Sequence, residues 1–167
     1  MKNIRFFRYL AYSLEILVFF ILGSTPSLLP QFFGATPCIL VALALTISVF
    51  ESEIPAMVFG VFCGVLTDLG FSNSIGTFTI ALTICCFVLG FCSNNIITVN
   101  FLNVMITATV VITALLSLHF LFAIVLKGYD YAGSYFVNHY ISRIAQTIIC
   151  AAILYFINKF IYETLRD

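Results

Sequence analysis

Charge is what this sequence has least of. Only 8% of its 167 residues are Asp, Glu, Lys or Arg, against about a quarter in an ordinary water-soluble domain. Seven basic and seven acidic residues cancel to a net charge of zero, which excludes a basic surface for nucleic acid. Tryptophan is absent and there are two histidines, His119 and His139. They stand at no ligand spacing to each other or to a cysteine, so a zinc site is not expected. The six cysteines, Cys38, Cys63, Cys85, Cys86, Cys92 and Cys150, contain no CxxC pair and read as small hydrophobes of apolar helices. No GxSxG elbow, HExxH, Walker loop or Gly-rich dinucleotide turn occurs. The chain is therefore read as a non-enzyme with no catalytic residue, no cofactor and no metal.

What is present is apolar: 62% of the residues are hydrophobic and the mean hydropathy is +1.15. Runs of this kind mark membrane spans. Apolar segments fall near residues 6–23, 36–50, 55–72, 76–93, 101–126 and 140–161. The expected fold is an all-α membrane protein, a six-transmembrane-helix bundle forming one polytopic domain over residues 1–167. The second segment is short for a bilayer that takes about 20 residues to cross. Breakers separate the segments: Gly23, Pro26, Pro30, Gly34 and Pro37; Pro55; Asn73 and Gly76; Asn94, Asn95 and Asn100; Gly128 and Gly133. These connections leave no room for an extramembrane domain.

Lys2, Arg5 and Arg8 are expected to hold the amino terminus on the cytoplasmic side, and six crossings return Lys159 and Arg166 to it. Glu15 interrupts the first apolar run, and no small-x-small site follows Gly23, so that run is not read as a cleaved signal. Of the eight tyrosines most fall near span ends, where amphipathic rings anchor. Glu51 and Glu53 are assigned to a connection.

Three charges fall within or just inside the apolar runs: Glu15, Asp68 and Arg143. Intramembrane ionisable groups face protein and need partners. At 1.5 Å per residue, Asp68 and Arg143 reach the same outer level and are expected to form an ion pair oriented by Asn73 or His119; the competing reading has Asp68 capping a turn and Arg143 snorkelling to the headgroups. Glu15 lies nearer the midplane and is expected to be a neutral acid satisfied locally by Tyr9, Tyr12 or Ser13.

The third segment carries a second signal. Ala56, Gly60, Gly64 and Asp68 recur every four residues, stacking on one helical face. In lipid such a ridge lets another backbone approach closely; a helix of the same bundle is the default occupant, and a partner's helix is the alternative. Pro55 opens this helix where its missing N–H does no harm.

The run Phe59-Gly60-Val61-Phe62-Cys63-Gly64-Val65-Leu66-Thr67-Asp68-Leu69, followed by Ser74-Ile75-Gly76 and an apolar helix, resembles the Gly-rich, Asp-ended third helix of the MreD family of rod shape-determining membrane proteins. Pro37 leading into Ile39-Leu40-Val41-Ala42-Leu43-Ala44-Leu45 is similar to that family's second helix, although Cys38 stands where the family carries an acidic residue. The resemblance is specific over residues 36–93 and general in hydropathy beyond them. It implies a multi-pass subunit of the cell-elongation complex in the bacterial cytoplasmic (inner) membrane, both termini cytoplasmic. Its partner would be an MreC-like bitopic protein, linking MreB filaments indirectly to RodA and a class B penicillin-binding protein. Ala56, Gly60 and Gly64 would serve packing, Asp68 the groove's outer end and Gly76 the turn.

The alternative function is a substrate-binding subunit of an energy-coupling-factor transporter, to whose S-component fold the layout is related. Those subunits tend to carry Ala-x-x-x-Ala on helix one, whereas here Ala11 is followed four later by Glu15. Lys127 to His139 would supply a lid in that reading. An intramembrane enzyme would need paired acid–base groups, and no such spacing is found.

Overall fold

A computed structural model describes residues 2–25, 37–71, 76–95, 100–121 and 139–165. Among them are six helices: α1 (Lys2–Ser24), α2 (Ile39–Phe50), α3 (Glu53–Phe71), α4 (Thr77–Asn95), α5 (Phe101–Phe120) and α6 (Ile141–Thr164). No strand occurs among the described residues. Five of the helices are long and apolar enough to cross a membrane; the exception is α2. Successive helices alternate in direction. A proximal end thus gathers the start of α1, the end of α2 and the end of α6, and a distal end gathers the α3–α4 turn with the start of α6.

The short helix is the axis of the bundle. Every residue of α2 from Ile39 to Val49 is buried, and α2 packs against all five other helices. A helix apolar on every side belongs in an interior. At 1.5 Å per residue, its 12 residues span only about 18 Å of a hydrocarbon layer about 30 Å thick. Its neighbours α1 and α6 have 23 and 24 residues and overhang it. The run near 36–50 thus forms a core helix: it is predominantly apolar all round, and its two polar residues, Thr46 and Ser48, donate to its own backbone carbonyls.

Polar contacts pin α2 to α6 at two heights. At its start, the Cys38 N–H donates to Thr147 Oγ1 at 3.1 Å. Thr147 in turn donates to the Arg143 carbonyl at 2.7 Å. Near its end, Asn158 Nδ2 donates to Thr46 Oγ1 at 2.9 Å, with Thr46 and Asn158 both buried. In an apolar surrounding these bonds fix register, since a slipped helix would leave each group unmatched.

Outside, the helices present Leu10, Leu14, Leu17, Val65, Leu69, Ile80, Ile84, Val110, Ile153 and Phe160. So continuous an apolar exterior is foreign to water and ordinary in lipid. Three tyrosines depart from the anchoring expectation. Tyr12, Tyr140 and Tyr155 are core residues, and each ring packs against another aromatic: Tyr12 edge-on to Phe59, Tyr140 edge-on to Phe120 and Tyr155 tilted against Phe50.

Removing the Asn158–Thr46 bond while keeping volume, as in Asn158→Leu, is expected to lower stability by about 1 kcal/mol. The same change in a Thr46→Val background should cost much less. Denaturant titration in mixed micelles, run as a double-mutant cycle, checks both.

Candidate functional site

The ridge on α3 is filled by α4. The two helices run antiparallel and make the most extensive contact in the bundle, with small residues meeting in reverse order. A Cβ built on Gly64 would lie 2.6 Å from Thr79 Cα, and one on Gly60 would lie 2.9 Å from Cys86 Cβ. From the other side, a Cβ on Gly90 would come within 3.0 Å of Ala56 Cβ and 3.1 Å of Glu53 Cα. Of the two occupants the spacing left open for Ala56, Gly60 and Gly64, a helix of the same bundle or one of a partner, the structure has the first: α4 occupies the face. Cys86 and Gly90, small residues four apart on α4, are the complementary half of the ridge, and that spacing was readable in the sequence.

Asp68 ends the ridge as a cap for the next helix. Its carboxylate accepts the N–H of Gly76 at 3.0 Å, of Phe78 at 3.2 Å and of Thr79 at 3.0 Å, and the Thr79 hydroxyl at 2.6 Å. Two of these N–H groups belong to the first turn of α4, which has no intrahelical acceptor for them. The helix dipole adds its positive end to the same place, so a carboxylate is favoured there even though Asp68 is buried. Gly76 supplies the backbone. Its φ of +99° lies in the left-handed region, open to glycine and strained for other residues. No neighbour would obstruct its Cβ, so conformation alone demands the glycine.

These contacts bear out the reading of Asp68 as a turn cap, the alternative to an ion pair with Arg143. Among the described residues the ion pairs are Arg8–Glu51 and Lys159–Glu163. Asp68 turns instead to backbone donors in its own hairpin, which lie closer in sequence. Asn73, the proposed orienting residue, lies outside the described residues, as does most of the 127–139 lid segment. His119 stacks on Phe78 with ring centroids 4.7 Å apart, and its Nδ1 is hydrogen-bonded to the Tyr140 hydroxyl at 3.0 Å. It ties α4, α5 and α6 together at the distal end. Among the described residues no hydrogen bond or ion pair joins Glu15, Asp68, His119 and Arg143 to one another. Glu15 is buried, and neither of its carboxyl oxygens has a hydrogen-bond partner among the described residues. The expected local donors do not reach it; Ser13 donates to the Leu10 carbonyl instead.

The proximal end holds a feature that the linear reading missed. Glu51, assigned to a connection, is buried at the end of α2. Arg8 Nε lies 2.6 Å from Glu51 Oε1, and Arg8 Nη2 donates to Oε2 at 3.1 Å. The guanidinium also lies over the rings of Tyr9 and Tyr162, at 5.8 Å and 5.2 Å from their centroids. Glu51 sits so deep because α2 is too short to deliver it to the surface. The available signal was topological: Arg8 and Glu51 both belong to the end at which the chain starts.

No group of three or more His, Cys, Asp or Glu side chains suited to a metal ion occurs among the described residues. A pocket of about 220 Å³ opens at the proximal end between Phe50, Ser93, Asn94, Tyr155, Lys159 and Tyr162. No family model, no curated protein and no solved structure matches this chain.

Two outcomes follow from the hairpin and the buried pair. Gly64→Ala should sharply reduce folded yield, because the obstructing atom is backbone, whereas Gly70→Ala, 3.9 Å from the Phe20 ring, should be tolerated. Fluorescence-detected size exclusion compares them. Glu51→Ala, which strands a buried guanidinium, is expected to cost about 3–5 kcal/mol. The double change Arg8→Leu with Glu51→Leu should cost less than the single one, by thermal melting in detergent.

Proposed function

We propose that this chain is a non-enzymatic scaffold subunit of the bacterial cell-elongation complex. In this reading it is a six-span protein of the cytoplasmic membrane, with α2 as the foreshortened span and both termini cytoplasmic. It acts with an MreC-like bitopic protein to couple MreB filaments to RodA and a class B penicillin-binding protein, and so to cell shape.

One observation carries the reading: the polar groups inside the bundle are predominantly given to holding helices together. Asp68 caps α4, Arg8 pairs with Glu51, and Thr147 and Asn158 secure α2. A bundle built this way acts through helix faces and short ends. Of the residues that carry the resemblance over 36–93, Gly60, Gly64, Asp68 and Gly76 all serve one hairpin. That supports treating the motif as a fold signature. The face for a partner's transmembrane helix then falls on the lipid-exposed sides and not on the ridge.

The transporter alternative gains no specific support. The 220 Å³ pocket lies at the end bearing the start of α1 and the end of α6, the cytoplasmic side in this topology, where an uptake site has no use. It is also smaller than the usual range for small-molecule sites, about 300–1,000 Å³.

Tagged protein at native abundance is expected to co-purify from solubilised membranes with the single-pass coiled-coil protein, and its depletion should turn rods into spheres. Cells that stay rod-shaped after depletion, with no recovery of that partner, would refute the assignment.

A further inference from the structure

The proximal pocket is a product of the short core helix. Helix α2 stops at Phe50, whereas α6 runs on to Thr164. The end of α2, with Val49 and Phe50, therefore closes one side of a cavity of about 220 Å³. Ser93 and Asn94 at the end of α4 form a second wall, fixed by the bond from the Ser93 hydroxyl to the Val49 carbonyl at 2.6 Å. The third wall is a single face of α6, where Tyr155, Lys159, Tyr162 and Glu163 stand at i, i+4, i+7 and i+8.

This cavity is amphipathic. On its apolar side Phe50 packs against both Tyr155 and Tyr162, with ring centroids 5.5 Å apart in each case. Tyr155 continues the row to Phe101 and Phe156, which belong to the exposed apolar exterior. On its polar side stand Lys159 and Glu163, both exposed, with Nζ and Oε1 3.8 Å apart. That separation is longer than a charge-assisted hydrogen bond. A pair so open and so exposed contributes little by itself, and each charge keeps bonding capacity for a third group. Asn94, exposed at the end of α4, adds amide donors.

A molecule that matches both sides carries an anion and a cation close together at one end and hydrocarbon at the other. We propose that the pocket is a binding site for the zwitterionic phosphoethanolamine headgroup of a membrane lipid. The phosphate accepts from Lys159 and the Asn94 amide, and the ammonium donates to Glu163. The glycerol and acyl chains leave along the aromatic row, past Tyr155 to Phe101 and Phe156. Inserted between two opposite charges, the headgroup gives each a partner of the other sign. A headgroup with a phosphate and no cation would set its charge against Glu163, and a choline headgroup has no N–H to donate to that carboxylate. The volume is small for a whole ligand and suits a headgroup whose tails stay in the bilayer. The site requires the membrane and no particular partner, so it stands independently of the scaffold reading.

The full chain, delipidated in detergent and titrated with short-chain lipids under native mass spectrometry, tests this. Phosphatidylethanolamine should bind about tenfold more tightly than phosphatidylglycerol or phosphatidylcholine of the same chain length, the difference being one charge-assisted hydrogen bond. Glycerophosphoethanolamine, the same headgroup without its tails, should bind about tenfold more weakly than the lipid or worse. Glu163→Ala should remove the preference for ethanolamine over glycerol, and Lys159→Ala should weaken both lipids about tenfold. In nanodiscs, a phosphatidylethanolamine with a photoreactive group beside its phosphate should label the segment 155–163. Equal affinity for the three lipids, tighter binding of phosphatidylglycerol, a soluble headgroup that binds as well as the lipid, or label confined to other helices would overturn the proposal. Lys159 and Glu163 are exposed, so both variants should fold, and the photolabelling needs no variant.

Discussion

The first N–H groups of α4 lie at the apolar end of a tight helical hairpin, and the Asp68 carboxylate is what satisfies them. In hydrocarbon no water relieves such donors, so a helix that begins next to the end of its predecessor needs an acceptor supplied by the chain. Asp68 provides it from the neighbouring helix, one turn before that helix ends. Its reach fixes the height of α4 against α3, and that height lets Gly64 meet the backbone at Thr79 while Gly60 meets Cys86 and Ala56 meets Gly90. A shift of one residue would turn the glycines away and bring side chains against a surface with no room for them. Capping and close packing are thus two aspects of one register.

Against this hairpin packs a helix too short to be anything but interior. Helix α2 contributes apolar bulk to every neighbour, and its shortness has an electrostatic consequence at the proximal end. Glu51 follows directly after α2 and is drawn below the level of the α1 and α6 ends. There the cost of removing its charge from water exceeds what a surface pair could return. Arg8, set back from the start of α1, meets it in two-point contact, and two tyrosine rings cover the guanidinium. The first, second and last helices are joined by that cluster, as the fourth, fifth and sixth are joined by Phe78, His119 and Tyr140 at the opposite end.

For function, the occupied ridge changes where interaction has to be sought. A stripe of small residues in a membrane helix does not reveal which helix it receives. Here the bundle itself fills it, so the sequence features that support the MreD resemblance describe how the hairpin folds. The scaffold reading keeps its support from the commitment of interior polar groups to structure, and its contact surface moves to the lipid-facing sides. Glu15 stands apart from that structural commitment, since neither of its carboxyl oxygens meets a donor among the described residues.

The sequence by itself determined the class of molecule, the number of apolar segments, the stacking of Ala56, Gly60, Gly64 and Asp68 on one face, and the need for a glycine near position 76. Composition and helical periodicity are local properties, and they survive without any knowledge of neighbours. Tertiary structure alone decided that α4 fills the ridge, that Asp68 binds the backbone donors of α4, that α2 lies at the centre, and that Arg8 meets Glu51 across 43 positions. These are choices among partners at equal helical depth. One-dimensional spacing assigns depth, but the rotation of each helix about its own axis selects the partner, and that rotation is set only when all the faces pack at once.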